Sequence, residues 1–301
     1  AGHNGMVGKA VCKKLSNENC EILTVNKSKC DLRNQIEIDK WMKKNKPHVV
    51  IICAAKVGGI LANDSFPVDF LEDNILIQTN IIKSSYENEV EKLLFLGSSC
   101  IYPKDIPQPI NESSLLTASL EQTNEWYAIA KITGLKLCEA YRKQFGCDYV
   151  SVMPTNLYGP GDNYDLNTSH VIPALIKKMH IANIERKKEV VIWGSGKPLR
   201  EFMYVDDCAD GIIFLLKKYS DDTHINLGQG FEISILELAK KIKEIVGFPG
   251  SIVLDKSKPD GIKRKLLSSK KVNNLGWKPK VTLDDGLRRT YDDFVSNYDK
   301  Y

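Results

Sequence analysis

The chain has 301 residues, of which 43% are apolar, and its 42 lysines and arginines against 38 aspartates and glutamates give a formal net charge of +4. This length fits one large or two ordinary domains, and so small a positive charge argues against a nucleic-acid-binding protein. No apolar run approaches the ~20 residues that span a bilayer, and no signal peptide precedes the first motif. The eight cysteines are scattered and lack metal-ligand spacing, so we expect reduced thiols and no metal site. Together these features predict a cytoplasmic protein.

The first motif consists of three glycines, Gly2, Gly5 and Gly8, in the pattern G-x-x-G-x-x-G. Glycines at this spacing allow a tight turn, the approach of a pyrophosphate to the backbone and close packing of the following helix. We therefore expect a dinucleotide-binding loop before a helix at residues 7–16, the alternative being an ordinary glycine-rich turn. Because no apolar strand precedes the loop, we expect the first strand of the sheet to be missing from this sequence.

A second strand is expected near residues 21–25, and it runs into the stretch NKSK. A carboxylate that binds the ribose hydroxyls of NAD would be expected at this place, so Lys27 favours the 2′-phosphate of NADP. Lysines on surface turns are also common, which keeps NAD as the alternative. Cys30, Asp31 and Leu32 are expected to lie along the adenine.

Short apolar runs at residues 49–53, 92–96 and 149–153 predict strands that are buried on both faces. Helical patterns at residues 71–88 and 125–145 lie between them. This alternation predicts an α/β fold with a Rossmann-type doubly wound parallel sheet.

After about residue 158 the pattern changes to loops, short strands and helices, with amphipathic helices at residues 233–246 and 283–298. We predict an NADP-binding Rossmann domain at residues 1–158, with a return segment near residues 204–228. A smaller C-terminal α/β substrate domain would be formed mainly by residues 159–301. The cleft between them would lie at the C-terminal ends of the strands, where such sheets bind ligands.

Tyr127 and Lys131 stand four residues apart in the stretch YAIAK. On a helix they share a face, and the ammonium would favour the phenolate, so the pair suits proton transfer; the alternative is a solvated helix face. Ser98 follows a buried strand and could bind a substrate oxygen held by the tyrosine. Asn124 is expected to cap the helix that carries the pair.

Ser98, Tyr127 and Lys131 behind a glycine loop resemble the extended short-chain dehydrogenase/reductase superfamily, which acts largely on nucleotide sugars. Seven further stretches, in order along nearly the whole chain, resemble the GDP-L-fucose synthase family: AAKVGGI, LGSSCIYP, YAIAK, SVMPTNLYGP, SHVIPAL, WGSGKPLREF and SKPDG. The resemblance implies an enzyme that epimerises GDP-4-keto-6-deoxy-D-mannose at C3 and C5 and then reduces C4 with NADPH.

The resemblance also implies residue roles. Ser98, Tyr127 and Lys131 would handle the C4 oxygen and the hydride step, and Cys100 and His170 would be the base and acid of epimerisation. The substrate-binding residues would be Lys178, Trp193 and Arg200. The residues expected to bind the cofactor are Gly2, Asn4, Gly5, Met6, Val7, Gly8, Lys27, Asp31, Leu32, Ala54, Ala55, Leu96, Gly97, Ser98, Ser99, Lys131, Pro154, Thr155, Asn156, Leu157 and His170.

Two other functions stay open from the sequence. One is a 4-reductase, or an epimerase/reductase, of a different GDP-4-keto sugar; the other is a non-catalytic nucleotide-binding regulator. The presence of both Cys100 and His170 favours epimerisation. The resemblance implies a homodimer formed through the helices near residues 71–88 and 125–145, and we expect no nucleic-acid or membrane partner. Lys263, Arg264 and Lys265 are possible donors to the diphosphate and guanosine, although a charge run is more often a solvated face, and Ser268 receives no role.

Overall fold

The computed structural model of the chain describes residues 1–258 and 260–300. Its strands, in chain order, are β1 (Val49–Ile52), β2 (Lys92–Leu96), β3 (Asp148–Pro154), β4 (Asn156–Tyr158), β5 (Glu189–Trp193), β6 (Leu199–Tyr204), β7 (Ile225–Leu227), β8 (Glu232–Ser234), β9 (Ser251–Asp255) and β10 (Arg264–Lys265). Its α-helices are α1 (Met6–Leu15), α2 (Gln35–Asn45), α3 (Ile60–Ser65), α4 (Pro67–Glu87), α5 (Glu125–Phe145), α6 (Val171–Ile184), α7 (Val205–Lys218), α8 (Ile235–Val246), α9 (Lys270–Asn274) and α10 (Leu283–Ser296).

A parallel sheet of four strands in the order β1-β2-β3-β7 is covered by helices on both faces. Neighbouring residues of a strand point to opposite faces. Phe95 of β2 therefore shares one core cluster with Ile81 of α4 and Leu135 of α5. Leu94, the residue before it, lies in the cluster on the other face with Ile212 of α7. The predicted α/β fold with a doubly wound parallel sheet is confirmed.

The predicted strands that begin at residues 49, 92 and 149 are confirmed as β1, β2 and β3. The predicted helices are also confirmed, with ends that differ from the prediction by about one turn at most. The apolar patterns of these helices are long and regular, so their local preference for a helix agrees with the tertiary packing.

The strand expected near residues 21–25 is wrong, because residues 21–26 have no regular secondary structure. A strand needs a hydrogen-bonded neighbour, and the edge of β1 is instead bonded to Ala1. The amino group of Ala1 donates to the Ile51 carbonyl at 2.7 Å, and the Cys53 N–H donates to the Ala1 carbonyl at 3.1 Å. Ala1 thus fills one position of the ladder at the place where a first strand was expected.

The C-terminal part is built on a second sheet in the order β10-β6-β4, with β8 antiparallel to β6, and on the parallel pair β5-β9. Helices α6, α8 and α10 contribute to its separate core. Residues 205–227 return to the first sheet, since α7 packs on α1 and β7 pairs with β3. Thr155 alone separates β3 from β4, so the two sheets meet at the carboxyl end of β3.

For residues 1–258 and 260–300, the helices are either too short or too polar to span a bilayer.

The glycine loop is packed so tightly against α1 that a side chain has no room at one of its positions. A Cβ atom built on Gly8 would lie 1.9 Å from the Gly2 carbonyl oxygen, whereas one built on Gly5 meets only that oxygen at 3.6 Å. Gly2 itself has φ +86° and lies against the backbone of Ala54. The loop therefore depends on glycine at positions 2 and 8 for its shape.

Replacing Gly8 with alanine should lower the free energy of unfolding by about 1–3 kcal/mol, because the loop must move to admit the methyl group. Urea denaturation of the ligand-free protein measures this loss. Gly5→Ala is the matched control and should cost less, since its methyl group makes only an ordinary van der Waals contact with the Gly2 carbonyl oxygen. Equal losses in the two variants would contradict the packing described here.

Candidate active site

Ser98 and Cys100 lie in a tight turn at the carboxyl end of β2. Ser98 follows β2 by two residues, and Cys100 sits in a one-turn 3-10 helix, Ser99–Ile101. The Ser98 hydroxyl accepts a hydrogen bond from the Cys100 N–H at 3.2 Å, which caps this turn. Both side chains are therefore at the edge of the sheet where parallel α/β folds bind their ligands.

Tyr127 and Lys131 occupy the first two turns of α5 and face the same edge. The Lys131 side chain, 3% exposed, donates to the Leu96 carbonyl at 2.9 Å, and its nitrogen lies 5.9 Å from the centroid of the Tyr127 ring. Burial lowers the pKa of Lys131 to about 8. Burial also raises the pKa of Tyr127, the Cys100 sulfur raises it further, and the Ser98 hydroxyl opposes this effect. The phenol thus keeps its proton at neutral pH and is available as a proton donor.

The Cys100 sulfur lies between two nitrogen donors. It is 3.5 Å from the Lys265 ammonium and 3.5 Å from the side-chain amide of Asn124. Lys265 is 8% exposed, so water screens its charge little. A cation and a hydrogen-bond donor at a sulfur atom both stabilise the thiolate over the thiol.

The predicted capping role of Asn124 is wrong. Asn124 stands at the N-cap position of α5, but its side chain bonds no backbone N–H of that helix. Its φ of −134° and ψ of 18° depart from the extended backbone from which a capping side chain reaches the first turn. The amide is turned toward Cys100 instead.

His170 immediately precedes α6 and is exposed. The protein atoms around the ring lower the pKa of His170, and the Lys265 charge lowers it further. Lys265 therefore contacts Cys100 and acts electrostatically on His170. A lowered pKa leaves most of the imidazole neutral at pH 7, so a proton delivered by His170 would come from its minor protonated form.

The loop that carries His170 is fixed by close backbone packing. The Gly59 N–H donates to the Thr168 carbonyl at 2.8 Å. A Cβ atom built on Gly59 would lie 2.6 Å from the Ser169 carbonyl oxygen. The VGGI stretch thus positions the histidine loop through a glycine that a larger residue could not replace without moving it.

The interpretation of residues 263–265 as a solvated charge run is wrong for Lys265, which is buried and contacts Cys100. Lys265 lies in β10 beside Arg264, whose guanidinium pairs with Glu232 at 2.7 Å on the opposite side of the strand. Alternation along a strand sends one of two adjacent cations outward and the other inward. The signal was present in the sequence, but a strand of two residues is too short to reveal it by periodicity.

Trp193 and its neighbours form a cationic surface on the C-terminal part. Trp193, 55% exposed, has the Lys178 ammonium 5.6 Å from its ring centroid and the Lys258 ammonium at 5.5 Å. The Arg200 guanidinium donates to the Leu199 carbonyl at 2.9 Å. Lys258, which the sequence reasoning did not single out, thus joins the predicted Lys178, Trp193 and Arg200 at this surface.

Arg200 links this cationic surface to Cys100. Burial lowers the pKa of Arg200, and the negative charges of Asp260 and Cys100 oppose this effect. Asp260 also holds the loop after Trp193, because its carboxylate accepts from the backbone and hydroxyl of Ser195 at 2.5 and 2.7 Å. One carboxylate thus organises the segment between the aromatic ring and the guanidinium.

At the glycine loop, the first turn of α1 carries no acidic residue that would repel a phosphate. Asn4 donates to the Asn26 side chain at 3.1 Å, which joins the loop to the segment that contains Lys27. Lys27 lies near enough to Asp31 to lower the pKa of its carboxyl, although Arg33 has the larger effect and the pKa falls to about 2.

Two residues expected beside the nicotinamide make contacts elsewhere through their side chains. The Thr155 hydroxyl and the Asn156 amide both donate to the Glu201 carbonyl, at 3.2 and 2.8 Å. They therefore join the end of β3 to β6. Pro154 and Leu157, which flank them, lie at the same junction of the two sheets.

Comparisons with known proteins give a likeness along nearly the whole chain. Residues 1–228 match the NAD dependent epimerase/dehydratase family. A GDP-L-fucose synthase from Sinorhizobium fredii is 57% identical over 297 residues, which are 99% of this chain and 95% of that protein. The structure of a GDP-L-fucose synthetase from Naegleria fowleri bound to NADP is 31% identical, with a TM-score of 0.92 over 99% of this chain and 93% of that one. A GDP-6-OMe-4-keto-L-xylo-heptose reductase from C. jejuni is 34% identical, with a TM-score of 0.93 over 99% and 97%.

Lys265→Met should slow the alkylation of Cys100 by iodoacetamide at pH 7 several-fold, because the cation 3.5 Å from the sulfur is lost. Mass spectrometry of the Cys100 peptide separates this thiol from the other cysteines. Lys263→Met removes a neighbouring lysine that no contact joins to Cys100, and it should leave the rate unchanged. An equal effect of both substitutions would show that only the general charge of the segment matters.

Proposed function

This chain belongs to the NAD dependent epimerase/dehydratase family and, within it, to the GDP-L-fucose synthases, and we propose that it converts GDP-4-keto-6-deoxy-D-mannose into GDP-L-fucose. It does so as a 3,5-epimerase and an NADPH-dependent 4-reductase. The observation that carries the proposal is the contact of Cys100 with Lys265 and Asn124 next to Ser98 and Tyr127. A base beside the ketone is required for epimerisation and not for hydride reduction.

The residues around the glycine loop fit a dinucleotide. A Cβ atom on Gly5 would meet only the Gly2 carbonyl oxygen, at 3.6 Å, and the first turn of α1 carries no acidic residue. Lys27 stands at the side where a 2′-phosphate would need a cation. NADPH, when bound, supplies the hydride that reduces C4. Lys131 lies behind the tyrosine and would hold the nicotinamide ribose.

Epimerisation begins when the Cys100 thiolate removes the proton from C3 or C5, the two carbons beside the ketone. The electron pair of the broken C–H bond moves into an enolate, and the negative charge collects on the C4 oxygen. Ser98 and Tyr127 donate hydrogen bonds to that oxygen and stabilise it. His170 then returns a proton to the carbon from the opposite face, which inverts its configuration.

Reduction uses the same oxygen and the same tyrosine. As C4 becomes an alcohol, Tyr127 transfers its phenol proton to the C4 oxygen, and Ser98 keeps the oxygen in place. The Lys131 ammonium, 5.9 Å from the ring centroid, then stabilises the phenolate that remains. Because the pKa of Tyr127 is raised in the free site, this cation is needed for the transfer.

The cationic surface of the C-terminal part is assigned to the nucleotide. Arg200 presents a planar fork that suits phosphate oxygens, and Lys178 adds a second cation for the diphosphate. Trp193 lies between Lys178 and Lys258 and borders this surface. The sugar would then extend from the diphosphate toward Cys100, to which Arg200 is electrostatically coupled.

A second candidate is reduction of another GDP-4-keto sugar without epimerisation. It is favoured by the likeness to the C. jejuni reductase, whose name states a different GDP-keto sugar. Incubation with GDP-4-keto-6-deoxymannose and NADPH in deuterated water separates the two. Deuterium at C3 and C5 of the product supports the epimerase–reductase, and its absence from both carbons supports the second candidate.

Two substitutions should divide the two reactions. Tyr127→Phe should slow NADPH oxidation by about 10²–10⁴-fold, because the proton donor of the reduction is lost. Cys100→Ser should slow deuterium uptake at C3 and C5 more than NADPH oxidation, since a hydroxyl is a far weaker base than a thiolate. The rates are followed by absorbance and by mass spectrometry. Equal losses of both reactions in Cys100→Ser would contradict this division of roles.

We also infer a homodimer built on α4 and α5, which pack against each other along their length. Each helix exposes large apolar side chains, namely Val68, Leu76 and Tyr86 on α4 and Trp126 and Phe145 on α5. A second copy would cover them. The eight free thiols support a reducing compartment, for which we propose the cytoplasm.

Leu76→Arg should convert the dimer to a monomer, because a buried, unpaired guanidinium at the interface costs more than the contact returns. Sedimentation equilibrium measures the mass. Ile184→Arg places the same charge on an exposed apolar position of α6 and should leave the dimer intact. A monomeric wild-type protein, or two equally dimeric variants, would overturn the proposed interface.

A further inference from the structure

We propose that Asn226 is a positioning residue that keeps Cys100 and Lys265 in contact by binding the two segments that carry them. The inference rests on the proposed epimerase activity and assigns it a buried residue outside the cleft. Cys100 and Lys265 stand 165 residues apart in the chain, so neither segment can set the distance alone. A third element has to hold both.

Asn226 lies in the middle of β7, is 0% exposed and has a partner for each end of its amide. Its nitrogen donates to the Ile110 carbonyl at 3.0 Å, and its oxygen accepts from the Tyr102 hydroxyl at 2.6 Å. Only one orientation of the Asn226 amide places its nitrogen toward the Ile110 carbonyl and its oxygen toward the Tyr102 hydroxyl. Its backbone N–H donates to Glu112 at 3.0 Å, which ties the same loop a third time.

On the thiol side, the link runs through Tyr102. This residue ends the one-turn helix that contains Cys100, and its ring is buried. The phenol has one hydrogen, which it gives to Asn226, so the His224 ring nitrogen at 3.0 Å must donate to the phenol oxygen. Burial lowers the pKa of His224 to about 4, with smaller effects of Lys136 and Lys271, so this contact does not change between pH 6 and 9.

On the ammonium side, the link runs through Ile110. The Ile110 N–H donates to the Leu266 carbonyl, and the Ser268 N–H donates to the Ile110 carbonyl, both at 2.8 Å. That carbonyl therefore accepts from Asn226 and from Ser268 with its two lone pairs. The residue directly after Lys265 is thus bonded to Ile110, and Asn226 fixes Ile110 to β7.

A second buried group holds the ammonium segment from the other side. The Leu267 N–H donates to the Glu201 carboxylate at 3.0 Å, and the Gly230 N–H donates to the same carboxylate at 2.7 Å. Residues 266–268 are therefore bonded on both sides. Electrostatic attraction between a thiolate and an ammonium falls as they separate. Greater mobility of either segment would therefore weaken the attraction between Cys100 and Lys265.

The most direct test uses Tyr102→Phe, which removes one hydroxyl and keeps the buried ring. Alkylation of Cys100 by iodoacetamide at pH 7 should slow several-fold, as the turn that carries the sulfur loses its tie to Asn226. Tyr149→Phe is the matched control, because it removes a phenol hydroxyl from the same core cluster on β3. An unchanged rate in Tyr102→Phe, or an equal change in Tyr149→Phe, would overturn the proposal.

A double substitution distinguishes positioning from a general loss of stability. If Tyr102 acts through the contact between Cys100 and Lys265, Tyr102→Phe should have no further effect on the alkylation rate in a Lys265→Met background. A full additional loss in that background would overturn the proposal. Asn226→Ala should slow alkylation more than Tyr102→Phe does, since it releases both segments; a smaller effect than that of Tyr102→Phe also counts against it.

The alkylation assay needs no substrate, so it separates this inference from the proposed function. With substrate in deuterated water, Tyr102→Phe should lower deuterium uptake at C3 and C5 relative to NADPH oxidation. If the wild-type protein takes up no deuterium while the coupling to Lys265 persists, the epimerase function fails and the positioning role stands. If uptake and NADPH oxidation fall in equal proportion, Asn226 and Tyr102 support the whole site and the proposal is wrong.

Discussion

The chemistry of the site depends on one contact, the 3.5 Å approach of the Lys265 ammonium to the Cys100 sulfur. The two residues stand 165 residues apart, Cys100 in the turn after β2 of the first sheet and Lys265 in β10 of the second. The same cation also acts on His170, the candidate proton donor. The candidate base and the candidate acid thus share one buried cation as a neighbour. This couples the two halves of the proposed proton exchange more closely than separate partners would.

Burial shifts the pKa values of two other groups in the site, and it shifts them in opposite directions. It raises the pKa of Tyr127, which keeps a proton on the phenol, and it lowers the pKa of Lys131 to about 8, close to the working range. Both shifts follow from the cost of charge in a medium that water does not reach. The tyrosine can therefore stabilise an enolate and later donate its proton without a change of position.

The fold was predictable because its strong signals are local. The runs that form β1, β2 and β3 are short, apolar and uninterrupted, and α5 has the length and periodicity of a helix on a sheet. The expected strand at residues 21–25 failed because a strand exists only beside a partner, which a local pattern does not reveal. In the site, sequence motifs pointed to Ser98, Cys100 and Tyr127. The burial of the Lys265 side chain beside Cys100, and the orientation of the Asn124 side chain toward Cys100 and away from its own helix, depend on contacts between distant segments.

The return of residues 205–227 to the first sheet has a consequence for the order in which the protein can fold. β7 pairs with β3 only after the chain has passed through α6, β5 and β6, so this pairing is among the most non-local in the molecule. Contacts that close long loops form late, because their entropy cost comes before their gain. Since Asn226 belongs to β7, the cysteine would receive its charged neighbour near the end of folding. An incompletely folded chain would then expose a thiol without the surroundings that make it a base.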